Sequence, residues 1–269
     1  MNPEFVHRDA VSEPAQISAR WWDENAKDYL KEHPSLGDVH FQWCPEGWTE
    51  EDLNLLGDDP GQVLEIGAGA AQCSRWLAKR GVDVVASDVS PAMIAEAQRL
   101  NRATGVRLPL AVADARELPF DSTSFDTVFT SFGAIGFLPD LEDLFAEVGR
   151  VLRPGGRWVY SGTHPFSWVF PDSPHAVDLR VIRPYAQGDA YIEGDEGELA
   201  YAEFSHTFAD HINALTATGF TIEKILEPRW PAGANHTWGQ WGPERGGLIP
   251  GTLIVSARKN EMFRGLTNQ

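Results

Sequence analysis

Apolar residues along this chain fall in short runs that close on a carboxylate or a glycine turn, and the runs alternate with segments of helical spacing. Val63 and Leu64 lead into Glu65, Gly67 and Gly69, after which 73–80 reads as a helix. A run over 82–87 ends in Asp88, and a run over 108–112 ends just before Asp114. A loop beginning at 118 feeds a fourth strand that reaches Ser131. The segment 141–152 reads as a helix stopped by Arg153-Pro154-Gly155-Gly156, and 157–161 as a fifth strand. Near-continuous apolar strands interleaved with helices are the pattern of a parallel sheet covered on both faces. The expected fold class is α/β, with a doubly wound, Rossmann-like sheet.

The flanks read differently. Residues 1–11 are expected to be a disordered leader, and 12–33 a helix with Trp21, Trp22, Ala26, Tyr29 and Leu30 near 3.6-residue spacing. A shorter helix over 50–56 ends at Gly57-Asp58-Asp59-Pro60. Residues 164–200, rich in proline and then in acid and glycine, are too long for an ordinary connection and read as a functional insertion. Weak alternation over 200–204 predicts a hairpin within it. A helix over 207–218, a strand over 220–226, a tryptophan-rich stretch over 227–250 and a last strand over 252–257 complete the chain. No internal repeat is visible. One domain over 1–269 is expected, made of a helical lid (12–57), a core (61–163) and an insertion with the final strands (164–258).

The first turn carries the chemistry. Gly67 and Gly69 let the backbone pass close to a ligand, because no Cβ stands in the way. Asp88 is placed to accept hydrogen bonds from both hydroxyls of a ribose. Together they indicate a nucleoside-containing cofactor over the carboxyl edge of the sheet. Dinucleotide-binding folds share Gly-x-Gly but place a further glycine near the pyrophosphate, and the sixth position counted from Gly67 is Gln72. Read as Gly-x-Gly-x-Gly, the last glycine is replaced by Ala71, a small departure. A nicotinamide cofactor is demoted by this spacing, not removed.

Further motifs follow in order: Ser90-Pro91-Ala92-Met93 after Asp88, then Ala113-Asp114-Ala115, Phe125-Asp126-Thr127-Val128 and Leu152-Arg153-Pro154-Gly155-Gly156. With this set, over residues 60–165, the chain resembles the class I S-adenosylmethionine (SAM)-dependent methyltransferases of the small-molecule, methyltransferase type 11-like kind. The resemblance implies a seven-stranded, mostly parallel sheet whose last strand inserts antiparallel, with an N-terminal helical lid. It implies that Glu65, Gly67, Ala68 and Gly69 line the methionine part of SAM. Asp88, with Val89 beside it, would bind the ribose, and Met93 would pack near the adenine. Asp114 would accept from the adenine amino group, with Ala115 alongside. Ser131 and Phe132 would lie under the sulfonium, and Tyr29, in a lid-like Trp22-Asp23…Ala26…Tyr29 element, would face its charge. Plainer readings stand beside these. Glu65 could cap the turn, Asp114 could cap a short helix, Met93 could be core, and Tyr29 could belong to the buried stripe of an amphipathic helix.

Charge and cysteine content narrow the partners. The chain carries 39 acidic and 22 basic residues, a net charge of −17. It would repel a polyanion and offers no basic stretch as a footprint. Methyltransferases acting on base amines carry an Asn/Asp-Pro-Pro-aromatic loop where this chain has Thr130-Ser131-Phe132-Gly133. No nucleic acid partner is expected. No run approaches the roughly 18 apolar residues of a membrane span, and residues 1–20 lack the apolar region of a secretory signal. Two cysteines, Cys44 and Cys73, are too few for a cysteine-rich metal site or for radical SAM chemistry. A reducing cytoplasm, no membrane and no metal are the expectations. The sequence is silent on oligomeric state.

The expected activity is O- or N-methylation of a small-molecule acceptor. The alternatives are a SAM-binding regulator without turnover and, further off, a nicotinamide-dependent oxidoreductase. Methyl transfer from a sulfonium requires near-attack positioning, and a base where the acceptor is a hydroxyl. Histidine suits that task near neutrality. His164, directly after the fifth strand, is the first candidate and His206 the second, with His236 a third. Each could instead hydrogen-bond a loop backbone. Trp168, Trp230, Trp238 and Trp241 could wall an apolar pocket or anchor irregular loops, and Arg245 could clamp a substrate carboxylate.

Overall fold

The computed structural model describes residues 4–7, 11, 13–186, 188–195 and 198–261. Strand β1 (Glu4–His7) and helices α1 (Pro14–Glu32) and α2 (Glu50–Leu53) precede the core. The core alternates β2 (Val63–Ile66), α3 (Gln72–Lys79), β3 (Val84–Asp88), α4 (Pro91–Thr104), β4 (Leu110–Val112), β5 (Phe125–Ser131), α5 (Leu141–Val151) and β6 (Leu152–Thr163). The hairpin β7 (Asp189–Asp195) and β8 (Glu198–Phe204), then α6 (Phe208–Ala217), β9 (Phe220–Leu226), α7 (Pro243–Gly246) and β10 (Thr252–Lys259), follow.

Seven strands form one sheet in the order β4-β3-β2-β5-β6-β10-β9, parallel except for β10, which runs antiparallel to both β6 and β9. This is the Rossmann-like α/β arrangement expected from the sequence. Successive residues of the central strands go to opposite faces. Leu64, Val128, Trp158, Tyr160 and Val255 pack with α5 and α6, whereas Val63, Phe129, Val159 and Ile254 pack with α3, α4 and the segment around Phe41 and Trp43. Both faces are covered, so the strands read as apolar runs rather than as alternation.

Three elements differ from the sequence reading. The leader is not structureless throughout: Glu4–His7 pairs antiparallel with β7, making a separate three-stranded sheet in the order β1-β7-β8. The open edge of the hairpin supplies backbone groups that a short strand satisfies. The remaining leader positions 1–3 and 8–10 lie outside the described residues. Helix α2 stops at Leu53 because Asn54 turns left-handed (φ 44°) and the Glu50 carboxylate takes the next amides, Leu55 N (3.0 Å) and Leu56 N (2.7 Å). Arg153-Pro154-Gly155-Gly156 does not separate helix from strand; β6 begins directly at Leu152, which pairs with Phe125.

Two features fix the carboxyl edge of the sheet. Gly67 sits at φ +62°, and a Cβ there would come within 2.8 Å of the Ala134 backbone nitrogen, so β2 turns backbone against backbone with the end of β5. Glu65, 3% exposed, ties β2 to the first turn of α3 by accepting from Ser74 N (3.0 Å) and from the Ser74 hydroxyl. Burial pushes its carboxyl up from 4.5 to about 7, against the opposing effects of the Ser74 bonds and the Arg75 charge.

Two expectations follow. Gly67→Ala meets both the left-handed φ and the contact with Ala134, whereas Gly69→Ala meets only φ +52° in open space. Urea unfolding should show the larger loss for Gly67→Ala, by at least about 1 kcal/mol; equal losses would refute the close approach. For Glu65, folding favours the protonated form. Its contribution is whole below about 4.5 and is lost as pH rises through about 7. Glu65→Gln mimics the protonated carboxyl, so between pH 5 and 8 its thermal midpoint should fall several degrees less than wild type, at about 2–4 °C per kcal/mol.

Candidate active site

A cavity of about 410 Å³ opens over the carboxyl ends of β2, β3, β4 and β5. Its size is that of a small-molecule site. The residues that the family resemblance marked are brought together around it: Glu65, Gly67, Ala68 and Gly69 from the first turn, and Asp88, Val89 and Met93 from the second. Asp114 and Ala115 come from the end of β4, Ser131 and Phe132 from the end of β5, and Tyr29 from α1.

The local geometry explains how each is held. Asp88 is 7% exposed and accepts from Gly69 N (2.7 Å) and Ser90 N (2.9 Å). Burial pushes its carboxyl up, the two amides draw it down, and the Asp23 charge raises it again. A carboxylate oxygen has two lone pairs, so each oxygen can still accept from a ligand hydroxyl. Ser90 caps α4 by accepting from Met93 N (3.1 Å), and Asp23 of α1 accepts from Ser90 Oγ (2.6 Å) and Ala92 N (2.8 Å). The lid helix is thereby pinned to the start of α4. Met93 is both core (3% exposed) and cavity wall. Asp114 pairs with Arg116 (2.8 Å) and accepts from its backbone NH (2.9 Å), which outweighs desolvation and holds its carboxyl below the usual range. Phe132 stands at φ 54°, a strained backbone for an aromatic residue, with its ring 5.6 Å from that of Trp241.

The other side of the cavity is built by the lid helix, the turn after β5 and segments beyond residue 164. Trp21, Trp22, Tyr29, Phe137, Trp238 and Trp241 form aromatic wall there. Trp22 meets Tyr29 at 5.0 Å and Phe137 at 5.8 Å, and Trp21 meets Tyr201 at 4.9 Å. Burial, then the Glu203 charge, pushes the Tyr29 phenol up to about 12. Tyr201 and Glu203, on β8, line the same space, as does His40, whose Nε2 lies 3.0 Å from Gln42 Oε1.

The histidine candidates from the sequence lie elsewhere. His164 is 7% exposed and does not line the cavity; its Nδ1 accepts from Phe166 N (3.1 Å) and its Nε2 lies 3.0 Å from Glu227 Oε1. Both ring nitrogens therefore have partners, as a loop anchor requires. His206 is buried behind the wall with Nε2 on the Leu138 carbonyl (2.9 Å), and His236 bonds the Pro45 carbonyl (2.8 Å). The carboxylate clamp is corrected too: Arg245 is 2% exposed and donates to the Pro171 (2.7 Å), Ser173 (3.0 Å) and Ser167 (3.2 Å) carbonyls, so it staples loops. Of the four candidate tryptophans, Trp238 and Trp241 line the cavity, and Trp168 and Trp230 do not.

Tyr201 and Glu203 are the functional candidates that reading for histidine missed. The signal was present: alternation over 200–204 puts 201 and 203 on one face and Ala202 and Phe204, both buried, on the other.

The residues present fit SAM as a ligand. Gly69 faces open space, carboxylates stand at Glu65, Asp88 and Asp114, and no lysine or arginine lines the cavity among the described residues. Such a lining suits a ligand that carries a sulfonium and an ammonium. Groups of histidine, cysteine and carboxylates able to hold a metal are absent among the described residues, and no described helix is long and apolar enough to cross a membrane.

Comparison with known proteins agrees with this geometry. The family model described as a methyltransferase domain matches residues 63–156. A demethylmenaquinone methyltransferase of Beutenbergia cavernae is 42% identical over 143 residues, 53% of this chain and 58% of that protein, so the chain spans only part of the relative's length. Among solved structures, a SAM-dependent methyltransferase from Mesorhizobium loti superposes with a TM-score of 0.57 at 24% identity, covering 78% of this chain and 98% of that one. The Burkholderia thailandensis 1,6-didemethyltoxoflavin-N1-methyltransferase, solved with 1,6-didemethyltoxoflavin and S-adenosylhomocysteine, gives 0.58 at 19% identity, covering 93% and 92%. At these identities the structural likeness establishes the fold, and the sequence match establishes the domain. Residues 63–156 thus match a methyltransferase domain, and the chain has the fold of the SAM-dependent methyltransferases on which it superposes.

Proposed function

We propose that this protein transfers the methyl group of SAM to a small, ring-bearing acceptor. The observation that carries this reading is the division of one cavity into two chemistries. Its floor, from the core strands, offers the glycine turn, Asp88 and Asp114; its roof, from α1 and the insertion, offers aromatic faces. The floor suits a nucleoside with a charged tail, and the roof a flat apolar partner. The relative named demethylmenaquinone methyltransferase and the neighbour holding 1,6-didemethyltoxoflavin support a ring-bearing acceptor.

When bound, SAM supplies an activated methyl group on a positively charged sulfur. The protein's own residues supply position and exclusion of water. Asp88 would accept from the ribose hydroxyls, and Asp114 from the adenine amino group. Tyr29 presents an aromatic face that tolerates positive charge. The Asp23 contacts to Ser90 and Ala92 keep the lid helix in register with the floor.

Asp88→Ala would remove the acceptors of both Gly69 N and Ser90 N, whereas Asp88→Asn keeps one of them and sets its NH2 against the other amide, so Asp88→Asn is the milder variant. It exchanges hydrogen bonds to an ionised group for neutral ones, a difference of about 1.4 kcal/mol. Calorimetry should show SAM affinity reduced about tenfold with the melting transition retained. Unchanged affinity in a folded Asp88→Asn protein would overturn the placement of the ribose.

A further inference from the structure

We propose that Glu203, carried into the cavity by the inserted strand β8, is the general base that takes the hydroxyl proton of a planar, hydroxylated aromatic acceptor bearing no negative charge. This rests on the reading of the chain as a SAM-dependent methyltransferase and deepens it.

Among the described residues four carboxyl groups line the cavity, and three belong to the core strands and their turns. Glu203 is the fourth and stands apart, on the three-stranded sheet of the insertion. Its Oε1 accepts from the Tyr201 hydroxyl at 2.6 Å; among the described residues Oε2 has no hydrogen-bond partner. Tyr201 stands against Trp21 (4.9 Å) and Phe137 (6.1 Å), so the carboxylate is set beside an aromatic slot. Ser18 Oγ, buried on the same wall, also lacks a partner among the described residues. A flat ring with a hydroxyl would fill the slot and supply the missing donor.

Electrostatics choose among acceptors and set the base strength. The charges that act on Glu203, those of Asp172 and of Glu193 on β7, are both negative. Tyr29 of α1, Tyr191 of β7 and Tyr201 all feel the Glu203 charge, and all are held protonated above the ordinary phenol range. Among the described residues no lysine or arginine lines the wall, so a carboxylated or phosphorylated acceptor finds neither to pair with. Glu203 keeps some accessible surface, part of it cavity wall, yet it lies deep among protein atoms. Burial pushes its carboxyl up to about 7; the Tyr201 bond works against that rise, and Asp172 and Glu193 work with it. A carboxylate of that basicity is matched to proton removal near neutral pH.

In the step itself, the acceptor oxygen forms its bond to the methyl carbon as the sulfur–methyl bond breaks. The bond's electron pair stays on sulfur, which becomes a neutral thioether, and the hydroxyl proton passes to Glu203 Oε2. Product release returns that proton to solvent.

The test compares wild type, Glu203→Gln and His40→Asn. The probes are 1-naphthol and 1,3-dihydroxynaphthalene, with 1-hydroxy-2-naphthoate as the anionic match. S-adenosylhomocysteine release reports turnover, tryptophan fluorescence of the S-adenosylhomocysteine complex reports probe binding, and calorimetry reports SAM affinity. We expect Glu203→Gln to keep SAM affinity, to slow transfer to the naphthols by about 10²–10⁴-fold, and to lose the rise of kcat/KM with pH near 7. Hydroxynaphthoate should bind wild type at least tenfold more weakly than the naphthols. Transfer by Glu203→Gln at the wild-type rate and pH profile would overturn the proposal. So would loss of transfer confined to His40→Asn, preferred binding of hydroxynaphthoate, or a SAM-binding wild type that methylates neither naphthol. Failure of wild type to bind SAM would instead remove the methyltransferase reading beneath it.

Discussion

Where β2 ends, the chain turns so close to the end of β5 that no side chain fits at Gly67. The backbone of Gly133 and Ala134 occupies the space a Cβ would need. That contact sets the height of the two central strand ends and leaves a hollow above them. Glu65 fastens the same turn from below through Ser74, and Asp88 fastens it from the side through Gly69 N. The two carboxylates are thus structural before any ligand arrives, which is why both can be buried in a turn of otherwise small residues.

The hollow acquires its chemistry from two sources. The doubly wound core supplies acids at strand ends, the position where open α/β sheets hold ligands. The lid helix and the insertion supply aromatic faces and one further acid. The joint between them is specific: Asp23 of α1 caps α4 alongside Ser90, and Trp21 of α1 packs on Tyr201 of β8. The division matches the comparisons, in which the family match ends at residue 156, before the insertion begins.

Much of this was legible in the sequence because parallel strands and helix starts leave local marks. Apolar runs, Gly67 and Gly69, and the acids closing each run located the floor, and the residues so marked do surround one cavity. The roof was less legible because its residues come from distant segments with no shared motif. His164 follows a core strand as expected, but Phe166 N and Glu227 hold its ring away from the cavity, and only tertiary structure shows this. Arg245 looked like a ligand clamp, yet it serves three loop carbonyls that sequence cannot place nearby. Tyr201 and Glu203 sat in a recognised alternating stretch. Its apolar face announced the hairpin, and its polar face lines the cavity.

The central claim is that one cavity holds SAM over the carboxyl edge of the sheet, with the insertion as its roof. A crystal structure of the protein with S-adenosylhomocysteine tests it most directly. The account predicts the ribose hydroxyls within hydrogen-bond distance of Asp88, the adenine beside Asp114, and the thioether sulfur facing the aromatic wall. A ligand bound outside this cavity, or with its ribose away from Asp88, would contradict it.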